Sequence, residues 1–153
     1  MLSFGATETA DISVVFAQAK ALVDAYEDIS AIDYDKVLSW MERKITAHIA
    51  SYTCVWWDGE KCAYYRLSEN GELDDLYVLQ PYRGQGIGSA ILKKCIDESK
   101  VPLWLYVFKA NTGAIRLYCR FGFEVREEVG RTRQIMCREM CSFVNDVRPQ
   151  KSI

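Results

Sequence analysis

The sequence predicts an α+β fold: a mixed, mostly antiparallel sheet of six to seven strands with helices on both faces. Three observations carry this. Apolar residues recur at helical spacing in two early segments. In the middle of the chain, runs rich in β-branched and aromatic residues are separated by the turn pairs Asp58-Gly59 and Asn70-Gly71. Residues 76–92, LYVLQPYRGQGIGSAIL, then pass from an apolar strand through a Pro turn and a glycine-rich loop straight into an amphipathic helix.

Taken in order, Leu2 to Phe4 reads as a short first strand. Thr9 or Asp11 then caps a helix carrying Ile12, Val15, Phe16, Ala19 and Val23 on one side. Asp33 to Ile49 is a second helix with Val37, Trp40, Met41 and Ile45 on one side. Tyr52–Trp57 and Lys61–Leu67 form a hairpin about Asp58-Gly59, and Asn70-Gly71 turns the chain into a third strand, Glu72–Leu79. Trp56 and Trp57 occupy adjacent strand positions and face opposite ways, so at least one is core. Gly86–Ser99 is a crossover helix, which places Val101–Phe108 parallel beside the third strand. Asn111–Arg120 is the last helix, and strands near Phe123–Val129 and Arg131–Glu139 complete the sheet.

At 153 residues the chain suits one domain, residues 1–153, able to bury roughly two-thirds of its unfolded surface. With 21 acidic and 19 basic residues the formal net charge is −2, so no overall field draws a nucleic acid. The six cysteines, Cys54, Cys62, Cys95, Cys119, Cys137 and Cys141, form no CxxC unit, and a single histidine is available, so no metal site is expected. Neither a leader nor an apolar run of about eighteen residues is present, which argues against secretion and membrane spanning. A cytoplasmic location with free thiols is the expectation.

Gly84, Gly86 and Gly88 permit positive φ and bring amide N–H groups toward an anion, while the following helix adds free N-terminal donors and its dipole. Glycines alone also suit an ordinary strand-to-helix turn. More specific is the register of Arg83-x-x-Gly86-x-Gly88 behind Asp74-Asp75-Leu-Tyr-Val78, followed at 111–123 by NTGAIRLYCRFGF. From about residue 52 to 140 the chain resembles the GNAT family of acetyl-CoA-dependent N-acetyltransferases. The first block matches that family's R/Q-x-x-G-x-G/A motif, and the second its N-x-x-A-x-x-L-Y-x-x-x-G-F segment.

The resemblance implies a sheet splayed near its centre between the third strand and the strand at 101–108 (the acyl-CoA N-acyltransferase fold), with the pantetheine arm of acetyl-CoA in the gap. Cofactor contacts would come from the main chain of Leu76, Tyr77 and Val78 and from the amides of Gly84, Gln85, Gly86, Ile87, Gly88 and Ser89, with charge from Arg83. The Val78 amide is the candidate for polarising the thioester carbonyl. Asn111 would cap the last helix and also touch the cofactor arm. Tyr118 is the candidate general acid for the departing thiolate, since a phenol is protonated at neutral pH. Each position also has a plainer reading, as brace, cap or packing residue.

An acceptor for the amine proton is needed as well. Alternation puts Glu72 and Asp74 on one face with Leu76 and Val78, and Asp75 on the other, so the base stays open between Glu72 and Asp74. Leu73-Asp74-Asp75 is similar to a Leu-Glu-Asp run in the family's polyamine acetyltransferases, where the acids also hold a cationic substrate. Residues 26–35 carry Glu27, Asp28, Asp33 and Asp35 without a lysine or arginine, which invites a cation or simply marks helix ends. His48 either contacts the dipole of the second helix or lines the acceptor site.

The leading expectation is acetyl transfer to a primary amine of a small cationic molecule by direct attack in a ternary complex. The alternatives are a peptide N-terminus or lysine as acceptor, or a non-catalytic acyl-CoA-binding module. No metal, nucleic acid or membrane is implied, and the apolar strand at Ile135 to Cys141 is a candidate edge for a homodimer.

Overall fold

Asp58 and Gly59 both take positive φ, 50° and 86°, as a two-residue hairpin turn requires. They join β2 (Thr53–Trp57) to β3 (Glu60–Leu67) in a computed structural model that describes residues 1–139. β1 (Leu2–Ala6) pairs with β2, and β4 (Leu73–Val78) with β3, giving an antiparallel sheet in the order β1-β2-β3-β4. A second antiparallel sheet is ordered β5-β7-β6, from β5 (Leu103–Phe108), β6 (Glu124–Val129) and β7 (Arg133–Arg138). Trp57 packs toward one core and Trp56 toward the other, as strand alternation demands.

The helices divide between the two faces. α1 (Asp11–Tyr26) and α2 (Tyr34–His48) set Val15, Ala19, Val23, Met41 and Ile45 against Tyr52, Cys54, Tyr64 and Tyr77. α3 (Ile87–Glu98) and α4 (Thr112–Arg120) cover the opposite face, where Ile87, Ile91, Leu92 and Tyr118 meet Val55, Leu73, Leu105 and Met136. Ile91 is fully buried, and its truncation to Ala would cost about 2–5 kcal/mol.

The expected single sheet is thus two sheets, stitched at one point. Glu72 and Trp104 form an isolated parallel bridge. Trp104 donates its amide to Gly71 O at 3.0 Å and its indole N–H to Asn70 O at 3.3 Å. A Cβ on Gly71 would lie 2.1 Å from Pro102 O, and its φ is +89°, so only glycine fits this seam. Past the bridge β4 and β5 are not paired, and the splay opens between them.

Three expectations change. Neither Thr9 nor Asp11 caps α1: the N-cap is Ala10, and Asp11 is instead buried, accepting from Tyr64 Oη at 2.6 Å and Lys61 Nζ at 3.0 Å. The crossover helix begins at Ile87, with Gly86 as its N-cap. β7 lies between β5 and β6 and both its edges are paired, so over the described residues it offers no dimer edge; Cys141 lies outside them. The described cysteines are free, and among the described residues no helix is long and apolar enough to cross a membrane.

Candidate active site

The opening between β4 and β5 leads into a cavity of about 1510 Å³ that both faces of the protein line. Leu79 N donates to Cys62 O at 2.9 Å, so the alternation of the β3–β4 ladder turns the N–H and C=O of Val78 and Leu76 away from β3 and into the gap. The Val78 carbonyl accepts from Arg83 Nε at 2.8 Å, which ties the glycine loop to the strand end. The Val78 amide is left facing the gap.

Gly84 and Gly86 hold φ of 76° and 80°, and a Cβ at either would meet nothing within 4 Å. That combination is a cradle: the backbone is bent as only glycine adopts readily, and the space above it is open beside the N-terminus of the twelve-residue α3. Gly84, Gly86, Ile87, Gly88 and Ser89 line the cavity with Arg83. Gln85 does not, and its side chain turns back toward Pro81 O at 3.5 Å.

The carboxylates of β4 depart from simple alternation. Arg66 faces Asp75 and Leu67 faces Leu73, so Asp74 is the extra residue of a bulge. Leu73 therefore shares a face with Leu76 and Val78, while Asp74 and Asp75 both reach the α2 side. Asp74 is clamped by Lys44 Nζ at 2.8 Å and Arg66 Nη1 at 2.5 Å, all three largely shielded from solvent. Asp75 accepts from the hydroxyls of Tyr52 and Tyr77, and burial pushes its carboxyl upward. Glu72, 8 % exposed, sits at the closed end of the gap; burial, reinforced by the Asp74 charge, pushes it up to about 7.

Tyr118 lies on α4 against Phe123, with ring centroids 5.6 Å apart, and lines the same cavity. Burial and the Asp75 charge hold its phenol well above the ordinary range, hence protonated. Asn111 caps α4, Oδ1 accepting from Ala114 N at 3.3 Å, and also faces the cavity. His48, the last residue of α2, is on the lining.

Glu27 and Asp28 are not brought to the cavity. Glu27 accepts from Thr132 Oγ1 at 2.5 Å and Asp28 pairs with Arg131 at 3.5 Å, which pins the α1–α2 connection to the β6–β7 turn. Lys44, Arg66, Tyr106 and Arg133 do line it. Sequence reasoning missed them because no local motif marks residues whose role comes from contacts made across the fold.

The model of the Acetyltransferase (GNAT) family matches residues 17–123. An uncharacterized N-acetyltransferase of Methanocaldococcus jannaschii is 40% identical over 67 residues, 40% of this chain and 29% of the relative. A spermine/spermidine N(1)-acetyltransferase of Bacillus subtilis is 32% identical over 81 residues, 48% of this chain and 53% of the relative. The matched stretches thus span between under a third and about half of these relatives. PaiA N-acetyltransferase from Thermoplasma acidophilum, solved in complex with coenzyme A, superimposes with a TM-score of 0.66 at 17% identity, covering 92% of this chain and 99% of that one. YncA of Salmonella typhimurium, solved with acetyl-CoA, gives 0.62 at 18% identity, covering 95% and 97%. At these identities the likeness is one of fold.

Proposed function

This chain belongs to the acetyltransferase (GNAT) family, and from that premise we propose that it transfers the acetyl group of acetyl-CoA to the primary amine of a small molecule. One observation carries the reading: a single cavity holds an anion cradle, a strand edge with outward-facing backbone groups, and a carboxyl poised near neutral pH. The amides from Gly84 to Ser89 and the Arg83 charge hold the pyrophosphate. Outward-facing main-chain groups of Leu76 and Val78 and the Asn111 side chain hold the pantetheine arm, whereas Tyr77, expected to join them, is opposite Tyr64 and turns its main chain to β3.

The residues divide the chemistry. Glu72, titrating near 7, takes the proton that keeps the amine from attacking. Asp74, already clamped by Lys44 and Arg66, sets the charge around Glu72 instead of acting as the base. The Val78 amide donates to the thioester carbonyl oxygen as negative charge gathers there. The C–N bond forms and the C–S bond breaks, with Tyr118 giving its proton to sulfur; the second proton lost by nitrogen offsets that one.

Amines assayed for CoA release, beside thermal shift with acetyl-CoA, test the proposal. Release with at least one amine and a raised melting temperature are expected, and neither occurring would refute it. A second reading, a polyamine acceptor, is favoured by the Bacillus subtilis relative; Asp75 would then anchor the cation, since Glu27 and Asp28 lie outside the cavity.

A further inference from the structure

Arg133 opens β7 directly opposite Phe108 on β5, and Ile135 is opposite Tyr106. Opposed residues share a face, and Phe108 packs with the α1–α2 core, so Arg133 lies on the acceptor side of the sheet, away from the glycine loop. Its guanidinium carbon sits 5.5 Å from the Tyr106 ring centroid, and both residues line the cavity with Tyr26 and Phe108. A cation–π contact holds the guanidinium beside the ring without using its fork of N–H donors, which suits a planar or tetrahedral oxyanion.

The cavity's own carboxylates do not take that fork. Asp74 is held by Lys44 and Arg66, and Asp75 accepts from Tyr52 and Tyr77. Among the described residues no carboxylate pairs with half-buried Arg133. Along β5, Tyr106 lies two residues, roughly 7 Å, past Trp104, which bridges Glu72. Glu72, the candidate base, and Arg133 line the same cavity.

We propose that Arg133 is a specificity-determining residue that binds an oxyanion on the acceptor, so that the substrate is an amine carrying a carboxylate or phosphate instead of a polycation. This rests on the acetyl-transfer reading of the same site and deepens it. Lys44 and Arg66 are already paired with Asp74, so a polyamine would bring its second positive charge toward Arg133, whereas an anionic group meets a donor there.

The test compares matched acceptors: L-phenylalanine against phenethylamine, O-phosphoethanolamine against ethanolamine, and spermidine. Wild type, Arg133→Lys and Arg133→Gln are measured for kcat/KM of CoA release and, by calorimetry on the CoA-bound protein, for acceptor Kd. The anion-bearing member of at least one pair should be preferred by about 10- to 100-fold. Arg133→Gln should abolish the preference and Arg133→Lys keep part of it, with the acetyl-CoA KM and melting temperature unchanged. The phenylalanine and phosphoethanolamine arms tell carboxylate from phosphate. Turnover without a charge preference, a preference that survives Arg133→Gln, or spermidine as best acceptor overturns this inference alone. Arg133-dependent binding without turnover overturns the acetyl-transfer reading alone, and neither binding nor turnover overturns both.

Discussion

Glu72 and Trp104 face each other across an isolated parallel bridge at the foot of the gap between β4 and β5. The strands are joined there and nowhere beyond, so the residue that closes the gap is also the cavity carboxyl that burial pushes up to about 7.

Glu72→Gln should lower kcat by about 10²- to 10⁴-fold, the usual contribution of a positioned base. In the wild type kcat/KM should rise with pH through about 7, and the variant should lack that limb. Stability gives an independent readout with a definite sign. The folded carboxyl titrates above its unfolded value, so its contribution is fully present below the unfolded pKa of 4.5 and lost as pH rises through about 7. The variant should gain stability over wild type between pH 4 and pH 8, on the order of 3 kcal/mol at most, measured by urea unfolding at both pH values.

Asp74→Asn should move the acid limb of kcat/KM to lower pH. It removes a charge that raises Glu72 and leaves Lys44 and Arg66, which lower it. It should also destabilise the fold by about 1–3 kcal/mol, because two largely shielded cations lose their common partner. A pH profile unchanged from wild type would exclude Asp74 as the residue that tunes Glu72.

Tyr118→Phe keeps the ring that packs on Phe123 and removes one hydroxyl. The expected loss in kcat is about 10²-fold, the low end of general acid catalysis because a thiolate leaves tolerably unaided. Acetyl-CoA Kd should not change. Full kcat under conditions where chemistry limits turnover would make Tyr118 a packing residue.

Acetyl-CoA at about 100 times its Kd should stabilise the wild type by ~2.7 kcal/mol. Gly86→Glu should eliminate this stabilisation, since its side chain projects into the open space of the cradle and carries a negative charge. The positive φ adds a backbone cost of about 1–2 kcal/mol. Thermal shift with and without ligand separates the two effects.

By itself the sequence determined whatever depends on neighbours along the chain. The Asp58-Gly59 hairpin follows from a turn needing positive φ twice, the cradle from glycines at the mouth of α3, and the cap of α4 from Asn111 two residues before Gly113. Motif spacing likewise singled out Tyr118 and the β4 carboxylates, all of which line the cavity, though not the face on which the acids lie. Tertiary structure alone decided which acids line the cavity. The bulge that turns Asp74 toward α2 depends on pairing with β3, and the clamp on Asp74 joins Lys44 to Arg66 from separate elements. Glu27 and Asp28 have the composition of an acceptor wall, yet contacts with Thr132 and Arg131, more than a hundred residues on, draw them from it. Arg133 is one arginine among many until β7 inserts between β5 and β6 and lays it over Tyr106. Burial and charge are sums over everything nearby in space, and linear order leaves most of those neighbours unspecified.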